Sequence, residues 1–257
     1  MKDGQPRAME IWYRAPERFP LVQPGDDLPG VVVGCLAAEN LLPRDGDVVV
    51  IAHKVVSIAE GRVIPLEAVN PSPRAQALAR EVGKDPRLVE VILQESREVL
   101  RSRPGLLITR HRLGFVCANA GVDQSNAGPG KVVLLPEDPD RSACQIRERI
   151  EQAFGVRCGV IVSDTHGRAH REGAVGVCIG LAGLSPFLDH RGRRDLFGYV
   201  LRTSVEALAD ELASGATILM GQSSERRPLV LVRGVPVERD GGSARALVRP
   251  RERDLFG

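Results

Sequence analysis

Two short segments of this chain place oxygen-bearing side chains where they could hold a hard cation. FVCANAGVDQSN, residues 115–126, leads to Asp123 with Ser125 and Asn126 beside it. VIVSDTHGRAHREGAVG, residues 160–176, leads to Asp164 with Thr165 beside it. Each is an apolar β-type run that delivers a carboxylate to its end. A buried strand is rigid, so a carboxylate at its mouth can hold a divalent ion against a phosphate. Two such ends in one chain point to one shared metal–phosphate site.

Other chemistry is poorly supported. GxxxxGK[ST] is absent, which excludes a P-loop, and no GxGxxG opens a helix after the first strand, which leaves a Rossmann dinucleotide site unsupported. SDTHG (163–167) looks like the opening D-x-H of a metallophosphoesterase, but no GNH segment follows and the chain holds five histidines. His166 reads better as a loop residue or as one that backs a metal site without touching the metal. The five cysteines, Cys35, Cys117, Cys144, Cys158 and Cys178, are widely spaced and form no CxxC, against a zinc site or a disulfide framework. Glu137, Asp138 and Asp140 could bind a metal, yet carboxylates also favour a helix start, as do Asp26 and Asp27. For Asn119, a backbone-bonding role and a catalytic one stand level.

The elements that must position these residues mix strands and helices, an α+β pattern. PGDDL (24–28) reads as a turn and N-cap before an apolar helix to about Leu42. Residues 47–66 read as two β-rich runs. Ser72, Pro73 and Gly83 cap, open and close a helix. PRLVEVILQESREVL (86–100) reads as a second helix with Leu88, Val91, Ile92 and Val99 on one face. Strands are expected at 106–108, 115–121, 132–136 and 160–164. Between the last two, residues 138–155 form an amphipathic helix with an acidic start. Residues 194–216 read as a long helical region, and 216–221 and 228–234 as strands. The charged ending carries Leu247, Val248, Leu255 and Phe256 as anchors, more than a disordered tail usually has.

Composition sets the outer bounds. The 257 residues are 43% hydrophobic and 26% charged, typical of a soluble globular protein. A net charge of +2 and 4% aromatics give no footprint for nucleic acid. Arg110, His111 and Arg112 form one basic cluster and Arg191, Arg193 and Arg194 another; the second reads as a solvated face. The N-terminal segment has no signal-peptide core and no run is long enough to span a bilayer, so a cytoplasmic location is expected.

Over nearly its whole length the chain resembles the coenzyme F420-0:L-glutamate ligases, the F420 γ-glutamyl ligases. The resemblance is carried by FPLVQPGDDL (19–28), VVSIAEGR (55–62), KDPRLVEVILQES (84–96) and GFVCANAGVDQSN (114–126). It continues through LLPEDPDRSA (134–143), SDTHGR (163–168), MGQ (220–222) and the ending RPRERDLF. It implies an amide ligase that consumes GTP to add γ-linked L-glutamate to F420-0, a deazaflavin phosphate precursor. It also implies one α+β ligase domain over 1–257, with mixed sheets and helices, in an intertwined homodimer with nucleotide near the subunit interface. A C-terminal nitroreductase-like flavin domain, found in some relatives, is not expected.

Carried over residue by residue, the resemblance gives Asp123, Asp164, Thr165 and Gln222 to two Mg²⁺ or Mn²⁺ ions, with K⁺ as a further ion left open. GTP would be contacted by Phe19, Pro20, Leu21, Val22, His53, Lys54 and Asn126. The loop Met220, Gly221, Gln222, Ser223, Ser224, Glu225, Arg226 and Arg227 would complete that contact. Catalytic candidates are Asp123, Asp164 and Arg168; Arg168 and Arg171 could clamp a phosphate or carboxylate, or form a structural salt bridge. The chemistry suits the residue types. Phosphorylation turns a carboxylate oxygen into a leaving group, and phosphoryl transfer needs charge neutralisation above all. Oxygen ligands select Mg²⁺ or Mn²⁺ over softer metals.

The chain departs from the family at four positions, one of them His53, where a small hydroxyl residue is common. Ile58 replaces a lysine expected to touch phosphate, and Lys54 is the available substitute. If this segment is a strand, the two side chains are roughly 13 Å apart. Ala169 and His170 replace a proline and a tryptophan. These changes open two alternatives: a relative with another acceptor, or one that binds nucleotide or an F420-like ligand without ligation.

Overall fold

The computed structural model describes residues 10–237 and 241–255. Strand β1 (Trp12–Arg14) precedes helix α1 (Leu28–Ala38), where Asp27 accepts a hydrogen bond from the Gly30 amide as N-cap. Next come β2 (Val48–Ala52), α2 (His53–Ala59) and β3 (Val63–Pro65). Helix α3 (Pro73–Val82) is capped by Ser72 and closed by Gly83 at φ +66°, as the sequence predicts. Helix α4 (Pro86–Gln94) leads to a meander of β4 (Ser96–Arg103), β5 (Leu106–His111) and β6 (Val116–Ala118). Strand β7 (Lys131–Val133) pairs with β3. Helix α5 (Pro139–Phe154), capped by Asp138, leads into the hairpin β8 (Gly159–Arg168) and β9 (Arg171–Ala182). Two short strands, β10 (Leu188–Asp189) and β11 (Val205–Glu206), close an arm before α6 (Leu208–Met220) and β12 (Leu229–Arg233).

The fold is α+β with mixed sheets. Its main sheet has the order β1-β12-β2-β8-β9, parallel only between β2 and β8. VVVIA in β2 is apolar throughout because both faces of the sheet are covered. Val49 and Ile51 face α1 and α5, whereas Val48 and Val50 face α6. A third cluster joins α3, α4, β5 and β7 around Val89, Ile92, Leu107 and Val132. Burying each such side chain contributes about 1.5–3 kcal/mol.

Several expectations fail for physical reasons. Residues 53–59 form a helix: His53, Val56 and Ser57 are buried at i, i+3, i+4 spacing, so tertiary packing overrides their β-branched neighbours. Helix α4 stops at Gln94, because Ser96 pairs with His111 and Val99 with Thr109 in the meander. Residues 194–207 are not helical; the Asp195 carboxylate accepts from the amides of Phe197 and Tyr199 and fixes a turn instead. Residues 216–220 are the last turns of α6, with Ala216 and Met220 buried and Ile218 exposed between them. The helix after PGDDL also ends earlier than expected, at Ala38. Among the described anchors of the ending, Leu247 packs on the core and Leu255 is exposed; Phe256 lies outside the described residues. Within the described residues no helix is long and apolar enough to cross a membrane.

Candidate functional site

The register of the central strands creates the site. Ala52, the last residue of β2, pairs with Ser163 of the parallel β8, so His53 and Asp164 emerge side by side. Ligands in sheets of this kind settle beyond the carboxyl ends of parallel strands. Strand β12 runs the other way, with Leu229 opposite Ile51, so the loop after α6 closes the same end. Asp164 therefore lies inside β8 rather than at its end, but at the point where the sheet's two-sided burial stops.

Asp164 is clasped. Its Oδ1 accepts from the Thr165 amide at 2.7 Å and faces His53 Nε2 at 3.2 Å. Its Oδ2 meets His166 Nε2 at 2.9 Å, and His53 Nδ1 lies 3.4 Å from the buried Ser57 hydroxyl. Burial pushes the carboxyl up, but the facing His53 and His166 rings outweigh it and hold Asp164 well below the usual carboxylate range. Phe115 meets the His166 ring edge-on. Cys117, in β6, is pushed up to about 12 by burial and by the Asp164 charge, so its thiol stays protonated.

Asp123 arrives by another route. After β6, Asn119–Gly121 make one turn with φ of +51°, +53° and +65°. That left-handed sense costs ordinary L-residues about 1–2 kcal/mol each. Asp123 then exchanges two backbone hydrogen bonds with Val133, an isolated bridge rather than a strand end. Its carboxylate takes Lys54 Nζ at 2.7 Å and the Ser125 amide at 2.7 Å. Burial raises this carboxyl, and the Lys54 and Ser125 bonds more than reverse that, so it too lies low. Asn119 binds backbone: its Oδ1 accepts from the Leu107 amide.

Asp123 and Asp164 both border one cleft of about 910 Å³. Phe19–Val22, His53, Lys54, Asp123, Asn126, Asp164, Thr165 and the whole Met220–Arg227 loop border it. Asn126 Nδ2 reaches the Ser223 carbonyl at 3.4 Å, and Gln222 Nε2 reaches Thr165 Oγ1 at 3.4 Å, so the loops meet across it. Arg168 does not join them. It sits at the exposed tip of the β8–β9 hairpin, where Nη2 donates to the Glu172 carbonyl. Sequence reasoning gave no site role to Val63 and Lys131, which line the cleft, or to Ser57 and Cys117, which stand behind His53 and Asp164; the last two lie inside motifs read above, and no motif marks the first two.

Ile58 also lines the cleft. Because α2 is a helix, Lys54 and Ile58 are one turn apart on the same face, about 5–6 Å between Cβ atoms, rather than far apart on a strand. Two members of the first basic cluster, His111 and Arg112, are held in a network around Glu95. Arg62, His111 and Arg112 all converge on Glu95 Oε2, at 2.7, 3.3 and 3.1 Å. Glu137 takes the second contacts of Arg62 and Arg112. Asp140 caps the Leu181 and Ala244 amides, so the acidic run is structural.

Among the described residues, no three His, Cys, Asp or Glu side chains form a metal cage. Two carboxylates with Thr165 and Gln222 oxygens fit a hard cation that keeps water and phosphate oxygens as its other ligands. Among the described residues Asp164 Oδ2 meets His166, and it retains a lone pair for such an ion.

The family model of the F420-0:gamma-glutamyl ligases matches residues 17–234. The chain belongs to this family. It is 51% identical to the coenzyme F420:L-glutamate ligase of Methanopyrus kandleri, over 91% of this chain and 93% of that protein. Identity to the enzyme of the same name from Methanothermobacter thermautotrophicus is 49%, over 93% and 96%. Against that of Archaeoglobus fulgidus it is 43%, over 93% and 94%. Residues from five of the motifs read above, in 19–28, 55–62, 114–126, 163–168 and 220–222, border the cleft.

Proposed function

We propose that this protein is a GTP- and divalent-metal-dependent ligase that adds γ-linked L-glutamate to F420-0. The observation that carries the reading is the convergence of Asp123 and Asp164, from separate elements, on one cleft with Lys54. The names of the relatives supply the substrate class. The apolar wall at Phe19–Val22 suits a nucleobase, and Lys54, Arg226 and Arg227 supply positive charge for phosphates. Asp123, Asp164, Thr165 and Gln222 would hold the Mg²⁺ or Mn²⁺ ions, which when bound supply charge neutralisation for phosphoryl transfer.

In this reading the acceptor carboxylate takes the γ-phosphoryl group and GDP leaves. The glutamate amine then attacks the acyl carbon, loses a proton and expels phosphate. His53 and His166 keep Asp164 ionised and fixed in direction throughout. Lys54 takes the place of the lysine that the family carries at position 58, one helical turn away. Ala169 and His170 stand outside the lining of the cleft, so their departure leaves its wall unchanged.

The whole chain acts as one ligase domain in a homodimer in this proposal. An arm with fully exposed apolar tips supports the dimer. The test is GDP release with GTP, Mn²⁺ or Mg²⁺, F420-0 and L-glutamate, with products weighed by mass spectrometry. A mass gain of one or more glutamyl units is expected. Ligation only with another acceptor would move the substrate, and metal binding without turnover of any nucleotide would refute the ligase.

A further inference from the structure

We propose that the left-handed turn Asn119–Gly121 is a positioning device that aims Asp123 into the cleft. The inference rests on the ligase reading and deepens it. Among the described residues six non-glycine residues have positive φ, and four of them are Asn119, Ala120, Asn126 and Arg226. All four lie on the two loops that carry Asp123 and Gln222. Strained backbone persists only where its surroundings over-determine it, and such sites gather where geometry matters for function.

The surroundings of this turn do over-determine it. The Val122 amide closes it on the Asn119 carbonyl at 3.0 Å. Asn119 Oδ1 is tied to the Leu107 amide of β5 at 3.2 Å. Ala120, with φ +53° and ψ +32°, is completely buried. At Gly121 a Cβ would come 2.8 Å from the Leu135 side chain, so only glycine fits. Immediately beyond, Asp123 is fastened to Val133 by two backbone hydrogen bonds.

A left-handed turn leaves its entry strand in a different direction from a right-handed one. Here it carries the chain from β6, beside Asp164 and His166, across to β7. Three residues separate Ala118 from Val122, so the handedness of those three fixes where the Asp123 carboxylate points. Ala120 is strained where glycine would be relaxed, and the alanine methyl narrows the accessible backbone conformations. A sequence needing only a connection has no use for that restriction; one needing a fixed carboxylate does.

The test compares wild type with Ala120→Gly, and with Asn119→Gly, which removes the tie to β5. Hydrogen exchange at the Asp123 and Val133 amides is expected to rise tenfold or more in each. The melting temperature should stay within about 3 °C of wild type for Ala120→Gly, since glycine adopts the same φ freely. The kcat for ligation should fall at least tenfold, with a smaller change in the KM for GTP because the Phe19–Val22 wall is untouched. A kcat within twofold of wild type despite faster exchange would overturn the proposal. So would a loss of activity that only follows a lowered melting temperature, which would make the turn mere scaffold. Wild-type protein that ligates nothing would refute the ligase reading, and the exchange at Asp123 would then decide alone whether the turn holds this residue.

Discussion

Asp164 is the residue on which most of the site's electrostatics converge. It is nearly buried yet ionised, because His53, His166 and the Thr165 amide together outweigh the cost of burial. Asp164→Asn should keep the fold, since the amide fills the same space, and should lower kcat at least 100-fold. Activity within tenfold of wild type would remove Asp164 from the mechanism. Lys54 and Ile58 give a second test at this scale. Their one-turn separation on α2 means a lysine at 58 would point along the same wall. Ile58→Lys is expected to tighten GTP binding roughly three- to tenfold by calorimetry, in line with about 1 kcal/mol for one added charge–phosphate contact. Unchanged affinity would show that the phosphates lie elsewhere along the cleft.

At the scale of elements, the Glu95 network ties the C-terminal end of α4 to β5 and to the stretch before α5. Burial works against the Glu95 charge, but the His111 hydrogen bond and the Arg62 and Arg112 contacts bring its pKa to about 2, from 4.5. In the unfolded chain Glu95 protonates near its ordinary value. Its contribution is therefore fully present above pH 4.5 and is lost as the pH falls toward 2. The size is roughly 3 kcal/mol. Urea unfolding at pH 5 and pH 3 should show this loss, and Glu95→Gln should flatten that part of the profile while lowering stability at pH 5. A profile unchanged by the substitution would mean that the network holds nothing. The same elements show what the sequence could and could not tell. Caps were legible at Asp27, Ser72, Asp138 and Gly83, because they act through local hydrogen bonds and local φ. The helical nature of HKVVSIA was not legible, because it depends on where β2 ends against β8, a contact between residues more than a hundred positions apart. The left-handed turn was hidden for a similar reason. ANAG shows one glycine where three residues have positive φ, and the packing that enforces this comes from Leu107 and Leu135.

For the whole molecule, the arm between β10 and β11 is the feature that a lone chain leaves unexplained. It is hydrogen-bonded along its length, from His190–Ser204 through Gly192–Leu201 to the Asp195 turn. That order presents Leu196 and Phe197 at 97% and 96% exposure, with Tyr199 beside them. Exposed apolar tips on an ordered arm mark an interaction site. If a second copy covers them, four side chains leave water per dimer, worth roughly 6–12 kcal/mol before the cost of association. That gross gain is large enough for the arm to decide the oligomeric state. The arm sits at the end of the main sheet where β9 finishes, whereas the cleft opens at the carboxyl ends of β2 and β8. Charge at the tip should therefore separate the protomers without reshaping the cleft. Phe197→Glu together with Leu196→Glu is expected to sediment as a monomer at micromolar concentration where wild type sediments as a dimer, with the far-ultraviolet spectrum preserved. A double variant that remains dimeric would place the interface on another surface, and a monomeric wild type would refute the homodimer itself. If the variant is monomeric and its kcat also collapses, the partner contributes to the reaction from outside the cleft described here; if kcat is retained, one protomer holds the complete site.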